Sequence, residues 1–232
     1  MKKNIAIFGA SSGLGFSISQ TLANKFTIGC FSRNVENHPK DIKHSFKVDI
    51  KDDKALNKQI NNFIESVGKI DGFIYCSGVQ MVKPLRITKD EEILDLFNTN
   101  TFGAFRVAKL FLSNKYSSSD SKFIAISSIA SIKPDKGIIP YSASKSALDN
   151  MITGLAIEGA PREAFSIAPG WIKTPMTDNL KSIYNQEFID DLENRSPTGL
   201  IKISDLIDFL LSGKAKSMTG QRMVVDGGIT LV

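Results

Sequence analysis

Ile5-Ala6-Ile7-Phe8-Gly9-Ala10-Ser11-Ser12-Gly13-Leu14-Gly15 joins a short, continuously apolar run to a G-x-x-x-G-x-G turn. The run suits a strand buried on both faces, and the helix expected after the turn holds Phe16, Ile18 and Leu22. Glycines at such a junction let the chain turn tightly and let main chain approach a pyrophosphate, while the N–H groups of the helix start face the negative charge. The spacing departs from G-x-G-x-x-G, so the signal rests on its place between strand and helix. It favours a dinucleotide over a purely structural turn.

Working outward, similar runs recur at Thr27–Phe31, Ser45–Val48, Phe73–Cys76, Phe123–Ile126, Phe165–Ala168 and Met223–Val225. Longer amphipathic segments lie between most of them, which is the rhythm of strand, helix, strand in a doubly wound α/β fold. The spacing predicts a parallel sheet of about seven strands flanked by helices, in a single domain over residues 1–232. Thr88-Lys89-Asp90-Glu91 reads as a capping box before Ile93, Leu94, Leu96 and Phe97, and Ser204-Asp205 starts a short later helix. Asn34 to Lys43, with Pro39 and almost no apolar face, is expected to be a loop or one turn. Ser113–Ser121 reads as a surface connection into the fifth strand.

The 232 residues are enough to bury a sizeable core, and 42% hydrophobic with 23% charged content argues against disorder. The net charge of +5 is not gathered into a basic run with interleaved aromatics, so nucleic acid is not an expected partner. The apolar run after Met1-Lys2-Lys3-Asn4 is too short for a signal peptide core or a membrane span, and the chain reads as cytoplasmic. Cys30 and Cys76 sit in apolar runs and read as buried free thiols. His38 and His44 lie in a polar stretch without ligand spacing, and no metal is implied.

Tyr141-Ser142-Ala143-Ser144-Lys145 follows Pro140, a residue suited to opening a helix. One helical turn would place the phenol and the ammonium on one face, where the charge stabilises a phenolate. A tyrosine near its ordinary pKa of about 10 is a poor acid or base at neutral pH, so such a neighbour is what would make it a catalyst. Taken alone, the same pattern fits a solvated helix surface.

The glycine turn, the Y-x-x-x-K pair and the closing Thr219-Gly220-Gln221-Arg222-Met223-Val224-Val225-Asp226-Gly227-Gly228 together resemble the short-chain dehydrogenase/reductase family, in its compact single-domain branch. The resemblance runs from residue 4 to about residue 228 and keeps the family's motif order. It implies a Rossmann-type fold, an NAD(P) cofactor, and hydride transfer between a CH–OH and a C=O group. It assigns Tyr141 as general acid/base and Lys145 as the group that lowers its pKa and binds the nicotinamide ribose. Ser128, thirteen residues before Tyr141, would hold the reacting oxygen, and Asn100 of Asn100-Thr101-Phe102-Gly103, on the long fourth helix, would support a proton relay through water. On the resemblance, the cofactor contacts are Gly9, Ser11, Ser12, Gly13, Leu14, Gly15, Ser32, Arg33, Asp49, Ile50, Ser77, Gly78, Pro169, Gly170, Ile172 and Thr174, besides Tyr141 and Lys145. Trp171 joins Ser128 and Tyr141 as a candidate substrate contact, under a lid at about 177–197.

Phe31-Ser32-Arg33-Asn34 lacks the acidic residue that would bind an adenosine ribose 2′-OH and offers a guanidinium, so NADP(H) is expected before NAD(H). Two departures stand out. Tyr75-Cys76-Ser77-Gly78 replaces the family's usual N-N-A-G, and the segment Ile157–Ala164 is shortened beside a helix that commonly builds the dimer interface. The leading expectation is an NADPH-dependent reductase of ketones or aldehydes, similar to the 3-oxoacyl-carrier-protein reductases, acting as a homodimer or homotetramer. An NAD-dependent dehydrogenase of a sugar, sterol or other secondary alcohol is the rival, and a non-catalytic dinucleotide sensor is the rival from another class.

Overall fold

Alternate residues of the first strand, β1 (Asn4–Phe8), enter two different cores. Ala6 and Phe8 pack on one side of the sheet and Ile5 and Ile7 on the other, all fully buried, which is why the run carries no polar face. The computed structural model describes residues 2–172 and 203–231. Within them seven strands form one parallel sheet in the order β3-β2-β1-β4-β5-β6-β7. The remaining strands are β2 (Thr27–Ser32), β3 (His44–Lys47), β4 (Ile70–Tyr75), β5 (Ser117–Ile126), β6 (Glu163–Pro169) and β7 (Arg222–Val225). The doubly wound expectation holds.

One side of the sheet is covered by α2 (Asp53–Val67), α4 (Gly103–Leu112) and α5 (Ile139–Glu158), through residues such as Phe63, Phe111 and Ile152. The other is covered by α1 (Gly13–Leu22) and α6 (Ile203–Leu211), through Ile18, Leu22, Ile207 and Leu210. A further helix, α3 (Asp90–Phe97), runs into α4 through a π-helical turn at Asn98–Phe102. Strand order reverses between β1 and β4, and a crevice opens there beyond the carboxyl ends of the strands.

Two local expectations are corrected and a third holds. The serine run is not a surface connection, because β5 begins at Ser117, which pairs with Ile70. Ser117 and Ser121 bury their hydroxyls by bonding each other at 2.6 Å, so a polar stretch can be a strand, and the register with β4 shifts between Ile70 and Gly72. The capping box is displaced by one residue: Glu92 accepts from the Lys89 N–H at 2.8 Å, while the Thr88 hydroxyl donates to the Pro84 carbonyl. Asn34–Lys43 contains only a 3-10 turn, Val35–Asn37, as expected, and it buries His38, Pro39 and Ile42.

Candidate active site

The glycine turn is built by close approach. Gly9 has φ +87°, and a Cβ there would lie 2.7 Å from the Ser77 nitrogen at the end of β4. A Cβ on Gly15 would lie 2.2 Å from the Gly9 carbonyl oxygen. Only glycine therefore lets α1 start against the turn, with β4 alongside. No side chain caps α1 at Ser12, which leaves the first-turn N–H groups to face the crevice. That combination, a bare helix start over a cradle with no room for side chains, fits a dinucleotide's phosphates.

A cleft of about 560 Å³ runs from this turn across the top of the sheet. Of the expected cofactor contacts, Gly9, Ser11, Ser12, Gly13, Leu14, Gly15, Ser32, Arg33, Asp49, Ile50, Ser77, Gly78, Pro169, Gly170 and Ile172 line it. So do Ser128, Tyr141, Lys145 and Trp171. Thr174 and the expected lid at 177–197 lie outside the described residues. Arg33 is exposed where the cleft passes the end of β2, beside buried Ser32.

At the other end, Ile139 and Pro140 open α5 and carry Tyr141 and Lys145 one turn apart on its buried face. Ser128 follows β5, and its hydroxyl is in hydrogen-bond contact with the Tyr141 phenol while also accepting from the Ala130 N–H. Burial raises the Tyr141 pKa and the Ser128 contact pulls it down. The Lys145 ammonium is not what sets it. Lys145 donates to the Ile126 carbonyl at 2.9 Å, with its nitrogen 5.9 Å from the tyrosine ring centre. In this arrangement desolvation of the phenol is the larger effect on Tyr141. Burial also brings Lys145 down from 10.5 to about 8, against the pull of Asp149 and Cys76, which raise it.

Asn100 does not line the cleft. It lies fully buried in the π-helical turn, where its Oδ1 accepts from the Val79 N–H at 2.8 Å and its amide donates to the Val79 carbonyl and to the Ser144 hydroxyl. Both hydrogens of that amide are engaged, by main chain and by Ser144. Gly78 separates it from the lysine: a Cβ there would sit 3.3 Å from the Lys145 nitrogen and 3.6 Å from Asn100 Oδ1.

Sequence reasoning missed Asp149, one turn beyond Lys145 on α5. It is buried, takes the Ser166 hydroxyl on Oδ1 and faces Arg222 at 3.3 Å from Oδ2. The i, i+4, i+8 spacing of Tyr141, Lys145 and Asp149 was the available signal. Gln80 and Lys133, from loops, and Thr230, from a 3-10 turn at Ile229–Leu231, also line the cleft and belong to no motif.

The short chain dehydrogenase sequence pattern matches residues 3–185. The chain belongs to the short-chain dehydrogenase family. With it the chain is an NAD(P)-dependent oxidoreductase acting on CH–OH and C=O groups. Carbonyl reductase family member 4 of Xenopus laevis is 28% identical, covering 100% of this chain and 99% of the relative. The 3-oxoacyl-[acyl-carrier-protein] reductase FabG of Buchnera aphidicola subsp. Baizongia pistaciae is 29% identical, covering 98% and 97%. Among solved structures, a gluconate 5-dehydrogenase from Burkholderia cenocepacia in complex with NADP and tartrate superposes with a TM-score of 0.87 at 25% identity, covering 99% of this chain and 96% of that one.

Proposed function

We propose that this short-chain dehydrogenase reduces a ketone or aldehyde with NADPH, reversibly, and that Tyr141 is the proton donor. The observation that carries the reading is the convergence of Ser128, Tyr141 and Lys145 in one cleft with the glycine turn. The bound nicotinamide would supply the hydride. Ser128 holds the carbonyl oxygen against the Tyr141 hydroxyl, and Tyr141, kept protonated by burial, gives that proton to the oxygen as it becomes an alcohol. Lys145 supplies the positive charge that stabilises the phenolate left behind and, on the family resemblance, binds the nicotinamide ribose. Asn100 fixes Val79 and Ser144 around that group rather than meeting substrate.

Arg33 at the end of β2, with no acidic residue beside it in Phe31-Ser32-Arg33-Asn34, supports NADP(H) before NAD(H). The likeness to a 3-oxoacyl-[acyl-carrier-protein] reductase points to 3-oxoacyl thioesters or related carbonyls as the substrate class. The likeness to a gluconate 5-dehydrogenase favours, as the second reading, oxidation of a sugar-derived secondary alcohol. Retention of Ser128, Tyr141 and Lys145 together argues against a sensor without chemistry. A cytoplasmic homodimer or homotetramer, through α4 and α5 with exposed Phe105 and Ile157, completes the reading.

The test is Tyr141→Phe. Turnover of NADPH with a panel of carbonyl substrates should fall by at least about 100-fold while NADPH binding stays within about twofold. Retention of most of the activity overturns the assignment.

A further inference from the structure

We infer that His38, from the segment between β2 and β3, is a positioning residue that turns the Ser32 hydroxyl into an obligate donor and so makes the adenosine end of the cleft selective for a 2′-phosphate. This rests on the NADPH reading above and adds to it a residue that does not touch the cofactor.

Ser32 lines the cleft beside Arg33, and it is bonded from behind by the His38 ring: Ser32 Oγ and His38 Nε2 are 2.6 Å apart. Both side chains are more than nine-tenths buried. The other ring nitrogen, Nδ1, is buried and has no hydrogen-bond partner among the described residues. Burial lowers the histidine pKa, opposed by Glu36, so the ring is neutral and carries one proton. If that proton sat on Nδ1, a buried N–H would be orphaned, which folded proteins avoid more strictly than an under-used acceptor. The proton therefore sits on Nε2 and is donated to Ser32 Oγ.

The consequence falls on Ser32. With its oxygen accepting from His38, its own hydrogen must be given away. The protein acceptor nearby, the Asn34 carbonyl, is 3.4 Å distant, which is long for a hydroxyl donor. The hydroxyl is free to swing to a better acceptor in the cleft. Beside it Arg33 can only donate. The Ser32 and Arg33 side chains thus present donors alone, which complements a phosphate whose oxygens only accept, whereas a ribose 2′-OH would find no acceptor for its hydrogen on either.

The chain has only two histidines, His38 and His44, so the tautomer can be read directly. Nitrogen-15 NMR of the protein, with His44→Gln to assign the signals, should find the His38 ring neutral and protonated at Nε2. Fluorescence titrations with NADPH and NADH should show that His38→Phe weakens NADPH binding by about tenfold and leaves NADH within about twofold. His38→Gln, whose amide can again donate to Ser32, should recover part of the preference, and if the phenylalanine protein does not fold, the tautomer decides. A proton on Nδ1, or an unchanged NADPH to NADH ratio in folded His38→Phe, overturns the inference. Equal binding of the two cofactors by the unmodified protein overturns the NADPH reading itself, and the inference with it.

Discussion

The Tyr75 hydroxyl donates to the main-chain carbonyl of Thr99, the residue before Asn100. Tyr75 stands where the family usually has an asparagine, so the chain replaces an amide tie with a longer phenolic one that crosses from β4 to the π-helical turn. The π-helical turn interrupts the regular α-helical ladder at that point. Gly103 then becomes obligatory, because a Cβ there would lie 2.3 Å from the Tyr75 oxygen and 2.9 Å from Ile50.

Gly103→Ala should cost about 1–3 kcal/mol of stability by overpacking, measured by urea unfolding. Tyr75→Phe alone removes the buried bond to the Thr99 carbonyl and should cost about 1–3 kcal/mol. In the double variant the clash with the phenol oxygen is gone, so the two costs should sum to clearly more than the measured loss. Strict additivity would show that Tyr75 and Gly103 are not coupled.

The glycines divide by what surrounds them. Gly15→Ala must push its Cβ into the Gly9 carbonyl, and the shift spoils both the turn and the helix start. NADPH affinity should fall more than tenfold, read by fluorescence titration. Gly154, in the middle of α5, has nothing within 4 Å of its would-be Cβ, so Gly154→Ala should raise stability by about 0.5–1 kcal/mol with cofactor binding unchanged. A Gly15→Ala protein that binds NADPH normally would remove the close-approach argument for the phosphate turn.

Continuous apolar runs and the glycine turn made the sheet and one end of the cleft legible, because burial on both faces and close approach leave a compositional mark. Tyr141, Lys145 and Ser128 were legible through spacing. The polar half of the fold was not: Ser117 to Ser121 reads as a loop until its hydroxyls find each other inside. Nor was the electrostatics of the site. That the Tyr141 pKa is raised follows from how deeply α5 sinks, and that Asn100 spends its amide on Val79 follows from a π-helical turn, neither of which a one-dimensional pattern records.

Lys145 gives the protein a pH signature. Its pKa is brought from 10.5 to about 8 by burial. Between these values the unfolded chain holds a proton that the folded chain has released, so stability rises with pH across the window. The gain attributable to this residue should be about 1.4 kcal/mol per pH unit above pH 8. Cys30 and Cys76, raised by burial to about 11 and about 12, oppose it above pH 9, as does Tyr141 above its ordinary value. Urea midpoints of the protein and of Lys145→Met, compared from pH 7.5 to 9, isolate the lysine. A difference that does not change with pH would refute the assignment. In the same terms, Asp149→Asn removes the carboxylate that raises Lys145, so the alkaline limb of the activity profile should move to lower pH.

Lys122 and Glu163 face each other across β5 and β6 as direct register partners, their charges 3.1 Å apart and their side chains about 95% buried. The lysine is also held by the Asp120 carbonyl, whereas Glu163 Oε2 has no partner among the described residues. Two charges taken from water recover their desolvation only through each other, so removing either one strands its partner. Lys122→Met or Glu163→Leu alone should each cost about 3–5 kcal/mol, while the double substitution should lie close to the parent protein. Because the pair is buried, raising salt from 0.1 to about 0.5 M should leave these differences nearly unchanged. Single variants as stable as the parent would mean that the uncompensated charge reaches water, and that this end of the sheet opens more readily than its burial indicates.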